Sequence, residues 1–271
     1  MARRSSDPDF IEALARGLDV IRAFQPGDRE LSLTMIASRS ELARPTARRV
    51  LLTLEELGYV RATSTGYSLT VRVLDLGLTY VQSHSLWELV HPHLGALSRD
   101  TAESCSLAQL DGSDIVYVAR VAVPKIVGLS VEIGTRFPAY ATSLGKVLLA
   151  WLDRDARNEI LDLPSHGVVR AFWQPSREEI HEDLDCVASL GYALTDQQLA
   201  PGVRSVAVPL RAADGSILAS INVNASATET SLEYLQDTHL PRLLRARDEI
   251  EEDLARLGAL PELHTSISER S

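Results

Sequence analysis

The chain has 271 residues, 45% hydrophobic and 24% charged, with a formal net charge of -10, which gives one or two globular domains with full cores. No apolar run reaches the roughly 18 residues of a membrane span, and the opening MARRSSDPDF lacks the apolar core of a secretory leader. The two cysteines, Cys105 and Cys186, stand far apart and in no CxxC pairing, which excludes a disulfide framework or zinc knuckle and sets a reducing, cytoplasmic expectation.

The charge is unevenly spread. Residues 1–85 hold 11 arginines, no lysine and 10 acids, whereas the remainder holds 16 basic residues against 27 acidic ones. An acidic bulk disfavours nonspecific nucleic-acid binding, so any such contact belongs to the first third.

In chain order, residues 10–25 place Phe10, Leu14, Leu18, Ile21 and Phe24 at helical spacing, and Pro26-Gly27-Asp28 ends that helix. TMIASRSEL reads as a short helix with Thr34 as its cap and Met35, Ile36 and Leu42 inward. ARPTARRVLLTLEELGYV follows, with Ala47, Val50, Leu51, Leu54 and Leu57 on one stripe and Gly58 as the stop. Two short strands around Ser64-Thr65-Gly66 complete a hairpin. Helix, helix, turn, helix, hairpin is the outline of a winged helix-turn-helix.

The third helix carries three arginines in its first seven residues. Arg44, Pro45, Thr46, Arg48, Arg49 and Thr53 lie on its start and outer sides. Pro45 is comfortable there because its missing N–H has no partner in the first turn. Arginine suits guanine O6/N7 and phosphate, and free first-turn N–H groups suit phosphate oxygen. The wing adds Thr65 and Tyr67, with Arg61, Thr63 and Ser64 beside them. The bland reading is a solvated basic helix face; the order of the surrounding elements favours DNA.

From VRVLDLGLTYV the pattern is helical, with Val73, Leu76, Tyr80 and Val81 on one side, and a second helix runs from Trp87 to about Arg99. SCSLAQLDGSDIVYVARV reads as strand, Asp-Gly turn, strand. SLGKVLLAWL and REEIHEDLDCVASLG read as helices, VRSVAVPLRAADGSILASINVNAS as a strand pair, and LLRARDEIEEDLARLG as a closing helix. The expected class is α+β with a mixed sheet. The expected domains are 1–70 (winged helix-turn-helix), 71–100 (linker helices), 101–258 (second domain) and 259–271 (frayed tail).

LTMIASRSELARPTARRVLLTLEELGYV followed by GYSL resembles the N-terminal domain of IclR-family transcriptional regulators. EIGTRFPAYATSLGKVLLAWL and LGYALTDQQLAPGVRSVAVPLRAADGSILASINVNASA resemble their second domain, and the likeness runs over about residues 10–258. DPDFIEALARGLDVIRAF and GTRFPAYATSLGKVLLA are most similar to the PcaR/PcaU/PobR group of β-ketoadipate and aromatic-acid pathway regulators. The resemblance implies a GAF-like effector domain and a homodimer or dimer of dimers on a double-stranded operator. It also implies a small carboxylic-acid effector such as protocatechuate, 4-hydroxybenzoate or a β-ketoadipate-like acid, with no cofactor, metal or membrane. Carried over, the effector site falls on Ser143, Leu144, Asp196, Ser205, Asn222 and Asn224. Members that carry Cys and two Ser stand where this chain has Ser205, Asn222 and Asn224, which weighs against a glyoxylate- or pyruvate-like ligand. Amides donate and accept, and suit a larger polar acid. The bland alternatives are strand asparagines with local partners, a small core serine and a turn-capping aspartate. Arg120, Arg136 and Arg204 are further carboxylate partners, or surface ion pairs.

Three rivals are weaker. Ser143-Leu144-Gly145-Lys146 matches the S-x-x-K of serine acyl-transferases but has no S-D-N or K-T-G companion. His84, His91 and His93 lack metal-ligand spacing, and Tyr140 stands where a P-loop needs its first glycine. The third rival is a DNA-binding dimerisation module with no effector.

Overall fold

The computed structural model describes residues 9–25, 27–76, 86–124, 131–167 and 169–258, and the chain forms two compact units, Met1–His84 and Ser85–Ser271. The division falls inside the span expected to hold the linker helices. Tyr80, Val81, His84 and the tail from 259 lie outside the described residues.

In the first unit, α1 (Glu12–Arg22), α2 (Leu33–Arg39) and α3 (Arg44–Glu56) precede an antiparallel ribbon of β1 (Val60–Ala62) and β2 (Tyr67–Leu69). Val20, Leu31, Ile36, Leu42, Ala47, Leu51, Leu54 and Val60 form its core. Two inward assignments, Met35 and Leu57, change. Ser32, not Thr34, caps α2, its Oγ accepting from the Met35 N–H at 3.3 Å. Ile36 and Ala37 then face the core, and Met35, about 100° round the helix from Ile36, is exposed. Leu14 and Leu18 of α1 and Leu57 after α3 are also exposed, because their stripe faces an open groove that Val50 and Leu76 help to line.

The end of α3 is firmly fixed. Gly58 adopts φ +81°, its N–H reaches the Glu55 carbonyl, and the Tyr59 N–H reaches the Leu54 carbonyl, both at 2.9 Å, the pattern of a Schellman cap. The ribbon lies tight on Leu31, which exchanges two 2.9 Å backbone bonds with Tyr67. A Cβ on Gly66 would sit 2.3 Å from the Leu31 carbonyl oxygen, so that position admits only glycine at this spacing.

The second unit begins with α4 (Leu86–Thr101). It continues through β3 (Ser104–Asp111), β4 (Asp114–Val121), β5 (Arg136–Pro138), α5 (Ser143–Leu149), α6 (Arg154–Asp162) and α7 (Arg177–Leu190). It closes with β6 (Ala193–Asp196), β7 (Val203–Arg211), β8 (Ile217–Ser226), α8 (Leu232–Tyr234) and α9 (Leu240–Gly258). The six strands run β5-β4-β3-β8-β7-β6, with every pairing antiparallel. This corrects the expected mixed sheet. A parallel neighbour needs a crossover between adjacent strands. Here the helical stretch α5–α7 instead joins β5 at one edge to β6 at the other.

One sheet face packs Leu107, Val206, Val208, Ile221 and Val223 against α4 and α9. The opposite face packs Ile115, Tyr117, Phe137 and Ala207 against α5 and α7. His181 of α7 is 1% exposed and contacts Asn158 Oδ1 at 2.9 Å. Burial, reinforced by Arg154 and Arg157, holds its pKa below the ordinary 6.5. In the window between its folded and unfolded pKa the unfolded chain binds more protons, so stability is lost as pH falls through that window. We expect His181→Gln to flatten the fall in urea midpoint between pH 7 and pH 5; an unchanged slope would show that His181 contributes nothing to it.

Candidate functional site

On α3, Ala47, Leu51 and Leu54 are buried, which turns the remaining faces outward. Arg44, Pro45, Arg48, Arg49 and Thr53 are exposed and Thr46 is half-buried. The helix starts at Ala43 without a side-chain cap, and Pro45 stands in its first turn. Thr46, Arg49 and Thr53 also line the groove along α1, so Arg44, Pro45 and Arg48 stand apart from them. The Thr53 hydroxyl donates to the Arg49 carbonyl at 3.1 Å. In the wing, Thr65 is exposed and its hydroxyl donates to Glu30. Tyr67 is half-buried against the core of this unit; its ring supports the ribbon more than it extends the basic face.

The second unit holds a narrow, partly open cavity lined by Tyr117, Phe137, Leu144, Leu199, Val131 and Val203 on the apolar side. Its polar lining includes Ser143, Thr195, Ser205, Asn222 and Asn224. Strand period explains the set: Ser205 pairs opposite both Thr195 and Asn224, and residues 222 and 224 share a face. The Ser143 and Ser205 hydroxyls lie 2.7 Å apart, and those of Thr195 and Ser205 2.8 Å apart. Asn222 is 3% exposed, and its Oδ1 has no hydrogen-bond partner. Burial pushes the Tyr117 hydroxyl up to about 12, so it stays a neutral donor. Its volume is about 20 Å³, room for about one water. An acid the size of a substituted ring enters only if the lining moves.

The structure brings five of the six carried-over residues together and leaves one out. Asp196 follows Thr195 on β6, and the strand's alternation turns it to the other face. There its carboxylate accepts from Arg204 Nε at 2.6 Å and from the second guanidinium nitrogen at 3.2 Å. Arg204 holds Asp196 below the usual carboxylate range and is itself raised by it. Thr195, which the sequence reading passed over, occupies the cavity position. Its position one residue before Asp196 was the available signal. Arg136 is paired with Asp111, as the surface reading of that residue held. The first turn of α5 is partly spent, since Thr142 Oγ1 accepts from the Gly145 N–H at 3.0 Å.

Lys146 does not serve Ser143. It is fully buried, yet its ammonium lies 2.6 Å from Asp183, donates to Gln198 and sits 4.7 Å above the Trp173 ring. Burial lowers its pKa, with Asp183 acting in the opposite direction. His93 contacts Asp253 at 3.0 Å and Glu249 at 3.5 Å. Among the described residues, no group of three or more His, Cys, Asp or Glu is placed to hold a metal, and no helix is long and apolar enough to cross a membrane.

A three-helix head with a Gly-tight ribbon, followed by a six-stranded sheet that closes a polar cavity, defines a class. The model of the IclR helix-turn-helix domain matches residues 13–64, and that of the bacterial transcriptional regulator IclR C-terminal region matches residues 78–251. The chain belongs to the IclR family of DNA-binding bacterial transcriptional regulators. It is 38% identical over 246 residues to the Pca regulon regulatory protein of Pseudomonas putida, covering 89% of this chain and 84% of that one. A solved structure from Rhodococcus sp. RHA1 is 43% identical with a TM-score of 0.77, over 92% of this chain and all of that one. The inducer-binding domain of an Acinetobacter PobR double mutant, in complex with 3-hydroxybenzoic acid, is 31% identical with a TM-score of 0.54, over 61% of this chain and 97% of that one.

The Lys146–Asp183 pair is asymmetric, since Lys146 is sealed and the Asp183 side chain is 33% exposed. Removing the acid leaves a buried charge, whereas removing the base leaves a carboxylate that water reaches. Asp183→Asn should therefore destabilise by about 1–3 kcal/mol, and Lys146→Met by less. Urea denaturation of both variants checks the order.

Proposed function

We propose that the chain is a regulator whose action on DNA is controlled by a small aromatic or dicarboxylic acid of aromatic catabolism, bound in the second unit. The observation that carries this is the cavity: buried hydroxyls and an unsatisfied amide oxygen facing Tyr117 and Phe137. A polar, aromatic-walled pocket against the face of a sheet suits a polar ring or acid. The similarity to a domain that holds 3-hydroxybenzoic acid and to a Pca regulator supports the acid class. Protocatechuate, 4-hydroxybenzoate and β-ketoadipate are the ligands to try.

In this reading residues 1–70 bind DNA, 71–100 join the units, 101–258 take the effector and the tail follows. The chain works as a homodimer or dimer of dimers on a pseudo-palindromic operator, in the cytoplasm, by binding rather than catalysis. Arg44, Pro45, Arg48 and Thr65 face DNA directly, with Thr46, Arg49 and Thr53 on the flank of the same helix and Tyr67 behind the wing. Binding of acid and of operator are coupled, each changing the other's affinity by the same factor.

Arg48→Ala and Arg49→Ala should each weaken binding to a duplex selected by the wild-type chain from a random pool. A base contact costs about 1–3 kcal/mol of discrimination, and a phosphate contact lowers the salt slope by about one. Gel-shift affinity unchanged in both variants would sink the recognition-helix assignment.

For the cavity, a ligand that binds only the folded chain raises its stability by about 2.7 kcal/mol at a hundredfold excess over Kd. A thermal-shift series with the three acids should show that rise in the wild type and lose it in Asn222→Leu. No shift with any acid would leave a DNA-binding dimerisation module in its place.

A further inference from the structure

The face that carries the cavity also carries an arginine outside the family-derived site. Arg120 of β4 lies opposite Ser106 of β3, and Ser106 lies opposite Asn222 of β8. Opposite residues in neighbouring strands share a face, so Arg120, Ser106 and Asn222 form one row across three strands. The adjoining row, Thr195, Ser205, Asn224 and Ser104, runs parallel to it. Tyr117, which lines the cavity, comes from the same strand as Arg120.

Two atoms in the first row have no partner. Arg120 donates one bond, to the wholly buried Ser106 hydroxyl at 3.0 Å, and its Nε makes none. Asn222 Oδ1, nearly sealed from solvent, makes none. Arg120 itself is half-buried, and burial lowers its pKa. The other cations near the cavity are engaged: Lys146 by Asp183, Arg204 by Asp196 and Arg136 by Asp111. Among the described residues no carboxylate pairs with Arg120. A partly desolvated guanidinium with an idle donor edge is a fork without its anion.

Resting on the effector reading above, we propose that Arg120 anchors the carboxylate of a hydroxylated aromatic monocarboxylate. Its ring lies along Tyr117 and Phe137, and its hydroxyl joins the Ser143–Ser205–Thr195 cluster. The row order sets the polarity. Ser106 and Ser205 are two strands apart, about 10 Å across the sheet, with the cation at one end and hydroxyls at the other. Those hydroxyls donate and accept, which suits a phenol, and carry no charge to offset a second carboxylate. One idle cation neutralises one carboxylate. A dicarboxylate would bury its second charge among neutral groups, which is costly without a counter-ion. The Asn222 amide, between the two ends, has an acceptor free for a ring hydroxyl.

Calorimetric titration of the full chain with 4-hydroxybenzoate, 4-hydroxybenzamide, benzoate and adipate tests this. The wild type should bind the hydroxy acid at least tenfold more tightly than its neutral amide, and more tightly than benzoate or adipate. Arg120→Gln should lose at least tenfold for the acid and bind acid and amide alike. Where Arg120→Gln does not fold, Arg120→Lys serves: its single ammonium cannot form the fork, so acid affinity should fall several-fold while amide affinity holds. Acid preference kept intact in the variant, or adipate as the tightest ligand, overturns the anchor while leaving an effector site. Failure of all four compounds to bind overturns the effector reading and the anchor with it.

Discussion

The second unit depends on the pleat of one strand. β8 lies inside the sheet between β3 and β7, and its side chains alternate between two cores. Ala219, Ile221, Val223 and Ala225 enter the layer under α4 and α9, while Asn222 and Asn224 face the other side and meet the cavity. A slip of one residue would drive two amides into an apolar layer and four aliphatic groups into the cavity. The aliphatic half fixes the register, and the register delivers the amides. The polar residues gain their positions from neighbours whose role is purely hydrophobic.

That arrangement has a cost that packing does not return. A buried amide oxygen without a hydrogen bond is worth about 1–3 kcal/mol against the fold. Asn222 carries such an atom, and Arg120 has an idle donor in the same row. By contrast, the equally buried Lys146 is satisfied on three sides, by Asp183, Gln198 and Trp173. It ties α5, whose first residue lines the cavity, to α7 behind it. The two kinds of buried polar group thus divide. One is closed within the fold and fixes the wall, and the other leaves donors and acceptors unspent, Asn222 on the cavity lining and Arg120 in the same row.

Much of this was legible in the sequence, for reasons that differ by region. Gly58, the Asp-Gly turn and the Ser64–Gly66 hairpin were readable because a turn's demand for positive φ or a missing Cβ is local. Asn222 and Asn224 were readable as one face because period two needs no partner to be known. The alternation also hid Asp196. On a strand too short to show its period, Asp196 and Thr195 are indistinguishable until Arg204 is seen opposite. The short edge strands β5 and β6 left almost no periodic signal, and α6, although amphipathic, went unread. Met35 and Leu57 were assigned inward because helical spacing reports that a stripe is apolar, not that anything covers it. Arg120 and Asn222 fell on one row only through pairing across three strands, a long-range fact no window contains.

The narrowness of the cavity gives the regulatory reading its thermodynamic form. A space of about 20 Å³ does not admit a substituted ring, so an acid of that size would need a second, wider arrangement of the same walls. A ligand shifts an equilibrium only by its differential affinity for the two states, and here that difference is large because one state excludes it sterically. The wall that must move includes Ser143 and Leu144 on α5, and α5 is buried along its whole length and pinned by Lys146 to α7. Close-packed elements of that kind shift between discrete arrangements rather than deform by degrees. Any widening that moves α5 must therefore carry the ammonium–carboxylate contact with it or break it.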